Sequence, residues 1–356
     1  MSTLYPLLTE RRLVQPIWGG TQLAAWLNLP EPRPDKLGET WEVYDQNRII
    51  NGPLAARSLA DASRQYGAAL VGTRTVEHCG ADFPLLAKFI DAADRLSIQV
   101  HPDDAYAHRH EAAAGFHGKT EAWYILSAAP GATVIHGLAR PSSRAELAAA
   151  IAAGQVDDWL RRLPIKAGDV IFVPAGTLHA IEAGIVLFEI QQKSDLTYRV
   201  YDYGRRDAAT GLPRALHLDK ALDVMDYAPA PRAAIPPLDL GDGRVLLVAC
   251  PLFALEAWTL AGERSAATDP GTFEILSVLA GAGTLRAAGS AISLQRGLSV
   301  VMPAALGDYT LQPEAGEAAP LRLLRANVPD LERDLLQPLR AKGVDETRLA
   351  QTILTD

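Results

Sequence analysis

The sequence predicts a mainly β protein built from two jelly-roll barrels or sandwiches with interspersed helices. Short apolar stretches rich in Val, Ile and Phe are punctuated by Gly and Pro, which is typical of strands in such folds. Six such stretches fall at residues 96–101, 122–126, 133–136, 169–174, 185–191 and 197–203. A second observation is an internal repeat, because residues 168–179 align without gaps on residues 297–308, with glycine, a five-residue strand and proline recurring.

Helices are secondary in this prediction. Ser143 and Glu146 form a capping box ahead of an Ala- and Leu-rich segment, which predicts a helix to about residue 163. Residues 58–71 also have helical spacing. The tail from about residue 330 is predicted to be helical, with Asp345 as an N-cap.

Composition limits the classes of function. The chain has 356 residues, of which 48% are hydrophobic and 21% charged, as in an ordinary globular protein of two domains. A net charge of −8 without a long basic run argues against nucleic acid as a partner. No stretch approaches the roughly 20 apolar residues of a membrane-spanning helix, and the start resembles no signal peptide, so we expect a cytoplasmic protein. Cys79 and Cys250 have no CxxC spacing, which disfavours a thiolate metal site.

The first chemical signal is the pattern Gly168-x5-Pro174-x-Gly176-x2-His179, the second motif of the cupin superfamily. A strand leads into a tight turn, where proline fixes φ and glycine permits a strained dihedral angle, and His179 emerges toward the barrel interior. A hairpin turn that ends in a packed histidine would give the same pattern. The motif therefore indicates a ligand position only together with others.

A second strand offers polar side chains on one face. Side chains alternate along a strand, so Ser97, Gln99 and His101 share a face. A half-exposed strand with polar residues outward is the alternative. Lys119 and Glu121 share the alternation phase of a third strand, and taken alone they would be a solvated pair.

Gln99, His101, Glu121 and His179 form a ligand set of one amide, two imidazoles and one carboxylate. This set suits Zn²⁺ with a position left for water or substrate. The two histidines and the glutamate could equally form the facial triad of an Fe(II) oxygenase, so ligand identity leaves the metal open.

Arg199 lies in a strand-like segment with Tyr201 and Tyr203 on the same alternating face. Its guanidinium could bind phosphate bidentately or stabilise an enediolate oxygen. Alternatively, its stem packs on the tyrosines while its head pairs with a surface acid.

Several motifs in order resemble the type I phosphomannose isomerases, particularly their short bacterial form. They are residues 17–20, 38–42, 83–91, 96–104, 118–124 and 188–205, and the resemblance is dense over about residues 5–225. It implies one zinc ion per chain ligated by Gln99, His101, Glu121 and His179, with Lys119 and Arg199 as catalytic and substrate-binding residues and Ser97 as a further substrate-binding residue.

The same resemblance implies a small-molecule sugar phosphate as the partner, with mannose 6-phosphate and fructose 6-phosphate interconverted through a zinc-stabilised cis-enediol. The carboxylate lies twenty residues after His101 and there is no HxH pair, which favours isomerases over oxygenase cupins. An Fe(II) oxygenase, a sugar-binding cupin without activity and an isomerase of another sugar remain the alternatives. The sequence does not identify the general base. The phosphate could be held by Lys119, Arg199 or another basic residue such as Lys88, Lys193 or Arg205, and the oligomeric state is left open as a monomer or a dimer.

All eight histidines lie between His78 and His217, and Asp308 stands at the repeat position of His179. We therefore expect an N-terminal catalytic cupin domain with the metal site and helical insertions at residues 1–228. A Pro-rich linker follows at residues 229–237. A degenerate cupin-like domain without a metal site is expected at residues 238–329, and a helical tail at residues 330–356.

Overall fold

The structure is a computed structural model that describes residues 4–115, 117–207, 210–229, 234–316 and 319–355. The chain divides into two compact units. We call Leu13–Thr40 with Lys88–Ile235 the central unit, and Met1–Arg12, Trp41–Ala87 and Pro236–Asp356 the flanking unit. Strands dominate both units, so the predicted fold class is confirmed.

The strands form four antiparallel sheets. In chain order they are β1 (Leu7–Leu8), β2 (Arg12–Val14), β3 (Glu39–Val43), β4 (Leu85–Ala92), β5 (Ile98–Val100), β6 (Glu121–Ala128), β7 (Thr133–Leu138), β8 (Leu160–Pro164), β9 (Val170–Val173), β10 (His179–Ile181), β11 (Ile185–Gln192), β12 (Tyr198–Tyr201), β13 (Leu238–Gly241), β14 (Arg244–Ala249), β15 (Ala254–Leu260), β16 (Arg264–Ala267), β17 (Glu274–Ala280), β18 (Ala282–Ala287), β19 (Ser290–Gln295), β20 (Ser299–Met302), β21 (Asp308–Pro313) and β22 (Leu321–Asn327).

The helices are short. They are α1 (Gln22–Trp26), α2 (Leu59–Tyr66), α3 (Ala68–Val71), α4 (Thr73–Cys79), α5 (Asp104–His110), α6 (Arg144–Ala152), α7 (Leu218–Val224), α8 (Gln337–Ala341) and α9 (Glu346–Thr352), with 3₁₀ turns at Gly52–Leu54, Ala112–Ala114, Val156–Trp159 and Ala304–Leu306 and a π-helical turn at Leu331–Leu336. Among the described residues, no helix is long and apolar enough to cross a membrane.

The caps of these helices follow the sequence signals. The Ser143 hydroxyl accepts from the amide of Glu146 at the start of α6, and the Asp345 carboxylate accepts from the amide of Arg348 at the start of α9. The helix predicted to continue to residue 163 instead ends at Ala152, and β8 pairs with β7. Strand pairing therefore overrides the local helical preference of this segment.

The two units divide the chain differently from the predicted N-terminal domain of residues 1–228. Met1–Arg12 and Trp41–Ala87 belong to the flanking unit. Within that unit, β1 pairs with β20 and the rings of Phe83 and Phe273 lie 4.5 Å apart. The spacing of apolar residues predicts a strand or a helix, but it does not predict which sheet that element joins or packs against. The chain enters the flanking unit for the last time at Pro236, inside the predicted linker, of which residues 230–233 lie outside the described residues.

The larger sheet has the order β2-β3-β4-β11-β6-β9 and includes the parts of β2, β3 and β4 that belong to the flanking unit, and the smaller sheet of the central unit has the order β12-β5-β10-β7-β8. A buried apolar cluster contains side chains of both sheets, including Trp123 and Ile125 from β6 and Ile181 from β10. A second cluster joins the smaller sheet to α5, α6 and α7. One part of the core thus lies between the two sheets, and the other lies between the smaller sheet and the helices. A charged or polar side chain buried in such an interior needs a hydrogen-bonding or ionic partner.

The flanking unit repeats this order. Its larger sheet runs β13-β14-β15-β22-β17-β20, with β1 added at the edge, and its smaller sheet runs β16-β21-β18-β19. Register agrees with the repeat seen in the sequence, because Glu121 pairs with Val173 in one unit and Glu274 pairs with Met302 in the other. Glu274 therefore occupies the strand position of Glu121.

A buried ion cluster fills the corresponding interior of the flanking unit. Arg325 donates to Glu274 at 2.6 and 2.9 Å and to Glu256 at 2.9 Å, while the hydroxyl of Tyr309 donates to Glu274 at 2.8 Å. The side chains of Glu256 and Glu274 are 6% and 2% exposed. The guanidinium supplies the positive charge that two buried carboxylates require.

Arg325→Met should lower the free energy of unfolding by about 3–5 kcal/mol, because it leaves Glu256 and Glu274 buried without a cation. Thermal and denaturant unfolding would measure the loss. Arg322→Met is the matched control, since Arg322 lies on the same strand with its side chain exposed, and it should cost less than about 1 kcal/mol. Equal effects of the two substitutions would contradict the role of the cluster.

Candidate metal centre and active site

Three strands of the central unit bring the predicted ligands together. β5 carries Gln99 and is followed at once by His101, β6 begins at Glu121, and β10 begins at His179. The register of β5 and β10 sets His179 opposite Gln99. Because opposed residues of an antiparallel pair point to the same face, these two side chains leave the sheet side by side.

The carboxylate of Glu121 lies between two imidazoles. Its Oε1 is 3.4 Å from Nε2 of His179, and its Oε2 is 3.7 Å from Nε2 of His101. One ligand atom from each residue lies within 4.8 Å of the others, and all three side chains are 1% exposed. The structure thus brings together three of the four predicted ligands in a buried cluster.

Backbone carbonyls fix the orientation of both imidazoles. Nδ1 of His101 is 2.8 Å from the carbonyl oxygen of Leu196, and Nδ1 of His179 is 2.8 Å from that of Thr177. A carbonyl only accepts, so each Nδ1 carries the proton and each Nε2 keeps its lone pair. Burial lowers the pKa of His179 to about 3 and holds the pKa of His101 well below its ordinary value. Both rings are therefore neutral at neutral pH, which is the form that binds metal ions.

The amide of Gln99 reaches the same centre. Its Nε2 is 3.3 Å from Nε2 of His179, and its Oε1 accepts from the hydroxyl of Ser97 at 3.4 Å. Rotation about the last side-chain bond of a glutamine has a broad energy minimum. A rotation of Gln99 by half a turn would exchange Nε2 and Oε1 and place Oε1 on the side of the His179 ring. The fourth predicted ligand is thus within reach, with Ser97 beside it.

Lys119 supplies positive charge at the cluster. Its Nζ lies 2.7 Å from Oε2 of Glu121 and 3.2 Å from Nε2 of His101, and its side chain is 5% exposed. The contact with Glu121 is an ion pair but lacks hydrogen-bond geometry, so this buried oxygen has no hydrogen-bond donor among the described residues. An orphaned carboxylate oxygen beside two imidazole lone pairs fits a divalent cation, and the amide is a further compatible donor.

The buried Glu189, the half-buried Glu39 and the buried Lys88 continue the charge pattern. Nζ of Lys88 lies 3.3 Å from Glu39 and 3.1 Å from Glu189, and Lys119 lies 3.7 Å from Glu189. Burial and the nearby Glu121 raise the pKa of Glu189. Burial disfavours the Lys88 ammonium, but Glu189 and Glu39 outweigh it and raise the pKa of this lysine.

Sequence reasoning did not assign site roles to Glu39 and Glu189. A signal for Glu189 was present, because β11 is buried along its whole length and still contains a glutamate. β4 likewise contains Lys88 among buried residues. Charged side chains are almost never fully buried without a partner, so Glu189 in β11 and Lys88 in β4, a strand that also contains Asp91, indicate internal partners.

Arg199 enters the site from β12. Its Nε donates to the Ser97 hydroxyl at 3.3 Å and its Nη1 to the carbonyl of Ala215 at 3.0 Å. The cations over the ring of Tyr203 are Arg95 and Arg205, at 3.6 and 5.2 Å from its centroid. Arg95 and Arg205, rather than Arg199, therefore pack on the ring of Tyr203.

These side chains line one cavity of about 180 Å³ in the central unit. Gln99, Glu121 and His179 lie on it together with Lys119, Ser97 and Arg199. His101 belongs to the same cluster through its contacts with Glu121 and Lys119. Arg214, which the sequence did not single out, also lines the cavity. The arrangement can hold a cation at one side and an anionic or hydroxylated ligand beside it.

Comparison with known proteins relates this chain to a family. The family model described as the phosphomannose isomerase type I catalytic domain matches residues 8–124, and the model for the mannose-6-phosphate isomerase cupin domain matches residues 245–319. The mannose-6-phosphate isomerase of Streptococcus mutans is 36% identical over 304 residues, covering 84% of this chain and 92% of that protein. Mannose-6-phosphate isomerase ManA of Bacillus subtilis is 35% identical, covering 87% of this chain and 96% of that protein.

Solved structures agree. The crystal structure of the mannose 6-phosphate isomerase from Bacillus subtilis superposes with a TM-score of 0.78 at 33% identity, covering 91% of this chain and 99% of that one. A variant of the Salmonella typhimurium phosphomannose isomerase has the same fold, with a TM-score of 0.72 at 18% identity over 91% of this chain and 99% of that one. With relatives this similar over nearly their whole length and a matching catalytic-domain model, the chain belongs to the type I phosphomannose isomerase family.

Proposed function

We propose that this protein interconverts mannose 6-phosphate and fructose 6-phosphate. The observation that carries the proposal is the buried cluster of His101, Glu121 and His179, in a cavity that also holds Lys119 and Arg199. The names of its relatives support the choice of sugar. The expected reaction moves a proton between C2 and C1 of the sugar through a cis-enediol.

Zinc is the metal proposed for the cluster. Gln99, His101, Glu121 and His179 would hold it through one amide oxygen, two neutral imidazole nitrogens and a carboxylate, a donor set without sulfur that suits Zn²⁺. When bound, it would act as a Lewis acid that stabilises the enediolate charge developing at the sugar carbonyl.

Lys119 is proposed to position substrate and to hold a proton. Its ammonium is paired with the buried carboxylate of Glu121 at 2.7 Å. An ammonium in this position can donate a hydrogen bond or a proton to the oxygens of the substrate.

Arg199 is proposed to stabilise negative charge on the sugar. Its guanidinium is always charged and lies against Ser97, whose hydroxyl contacts the Gln99 amide. This places a fixed cation next to the ligand cluster without making it a ligand. Ser97 would orient both groups and contact substrate.

The first test combines metal analysis of the purified protein with a coupled assay for fructose 6-phosphate formed from mannose 6-phosphate. We expect close to one zinc per chain, isomerase activity, and loss of activity in a chelator that zinc restores. Activity that depends on iron and consumes O₂ would instead identify an oxygenase. Bound sugar without turnover would identify a binding protein, and turnover of another aldose phosphate alone would identify a different isomerase.

The second test removes one ligand. His101→Ala should abolish stoichiometric zinc and reduce activity by more than the roughly 10- to 100-fold that losing a hydrogen-bond partner of a ligand costs. Circular dichroism should still report a folded chain. His110→Ala, which removes an exposed histidine outside the cluster, should leave zinc content and activity unchanged. A fully active, metal-free His101→Ala protein is incompatible with the assignment.

The third test separates catalysis from metal binding. Arg199→Ala should keep its zinc but lose about 10²- to 10³-fold in kcat, the scale of losing one preorganised donor to developing negative charge. Arg199→Lys should recover part of the rate because it keeps the charge but not the planar fork. Unchanged turnover in Arg199→Ala would mean that the arginine is only structural.

A further inference from the structure

One carboxylate organises a group of arginines beside the cavity. Asp202 is 5% exposed and accepts from Arg205 Nη2 at 2.6 Å and from Arg214 Nε at 2.7 Å, with a second bond from Arg214 Nη2. Arg214 therefore meets Asp202 through a two-bond fork, the arrangement that fixes a guanidinium most firmly. Neither Asp202 nor Arg214 was singled out by the sequence motifs.

Backbone contacts dock the segment after Arg214 against β12. The amide of His217 donates to the carbonyl of Arg199 at 2.8 Å, and the amide of Arg199 donates to Nδ1 of His217 at 3.2 Å. The Arg199 side chain in turn donates to the carbonyl of Ala215. These three bonds hold the two arginines at one side of the cavity, where both line it.

This group has an excess of positive charge. Arg199, Arg205 and Arg214 face the buried carboxylate of Asp202, and Arg205 also lies 3.6 Å from the exposed Asp94, so three guanidiniums meet two acids. Burial, followed by the charge of Arg214, lowers the pKa of Arg199, as expected for cations held close together. Arg199 uses Nε and Nη1 in the contacts described above and Arg214 uses Nε and Nη2. As far as the described residues show, Nη2 of Arg199 and Nη1 of Arg214 thus remain as donors for an anion.

The rest of the cavity has the opposite balance. Besides Arg199 and Arg214, its charged lining among the described residues consists of four carboxylates and two lysines. A divalent cation at the ligand cluster would balance that side. Both lysines already form ion pairs: Lys88 with Glu39 and Glu189, and Lys119 with Glu121. The two arginines are therefore the lining cations best suited to a second, anionic group.

We propose that Arg214, oriented by Asp202, acts with Arg199 to bind the phosphate of the sugar substrate, a monoester of charge about −1.5 to −2 at neutral pH. This inference rests on the proposed function, since it assigns the phosphate end of the same substrate. Arg214 is then a specificity-determining residue and Asp202 a positioning residue. Arg199 lies between the ligand cluster and this end of the cavity and contributes to both.

The experiment compares zinc-loaded wild type with Arg214→Ala, Arg214→Lys and Asp202→Asn. The readouts are kcat and KM for mannose 6-phosphate and the inhibition constant of inorganic phosphate. We expect Arg214→Ala to raise KM and the phosphate inhibition constant together by about 10- to 100-fold, the cost of losing a charged hydrogen bond, with a smaller change in kcat. Arg214→Lys and Asp202→Asn should lie between this variant and wild type.

Arg206→Ala is the matched control, because it removes an exposed arginine that contacts the carbonyl of Gly211 in the same segment. It should leave both constants within about twofold of wild type. An unchanged phosphate inhibition constant in a folded, zinc-containing Arg214→Ala, or equal effects of Arg206→Ala, would overturn the inference while leaving the isomerase intact. A wild type that binds inorganic phosphate by calorimetry, with Arg214→Ala weakening that binding, but does not turn over mannose 6-phosphate would instead reject the proposed function.

Discussion

The site depends on keeping the Glu121 carboxylate charged inside the central unit. An unpaired carboxylate at 1% exposure would take up a proton or unfold the surrounding structure. The chain meets this requirement with a run of alternating charge in which Glu39, Lys88, Glu189, Lys119 and Glu121 each lie within 3.7 Å of the next. Each lysine touches two acids, so the acids and lysines hold one another in place.

That run also explains why the imidazoles remain neutral. Lys119 lies next to His101, and a second positive charge there would be strongly unfavourable in a buried setting. Burial already disfavours the charged rings, and the carbonyls of Leu196 and Thr177 fix which nitrogen carries the proton. Each Nε2, which contacts Lys119 in His101 and Gln99 in His179, therefore keeps its lone pair without a proton before any cation arrives, which reduces the reorganisation that metal binding requires.

The flanking unit shows the same strand positions serving a different purpose. Glu274 occupies the position of Glu121. Two residues after Glu121, Trp123 pairs with Glu189 on the neighbouring strand. Two residues after Glu274, Leu276 pairs with Arg325 in the same way. A glutamate in one unit is thus an arginine in the other. In the flanking unit, the guanidinium of Arg325 lies between Glu274 and Glu256 and neutralises them directly. One architecture accommodates the candidate metal site in one copy and an internal ion cluster in the other because the sheet order fixes positions and not charges.

The sequence alone determined the alternation along single strands and the punctuation between them. The sharing of a face by Ser97, Gln99 and His101, the position of His179 after a Pro-Gly turn and the repeat near residue 300 follow from local geometry, since neighbouring residues set their own dihedral angles. Only the tertiary structure decided that residues 41–87 belong to the flanking unit, that Glu189 and Lys88 pair inside the cavity, and that Asp202 turns Arg214 toward it. These contacts depend on which strands pair and in what register, and that choice is made by the burial and hydrogen bonding of the whole chain rather than by any one segment of it.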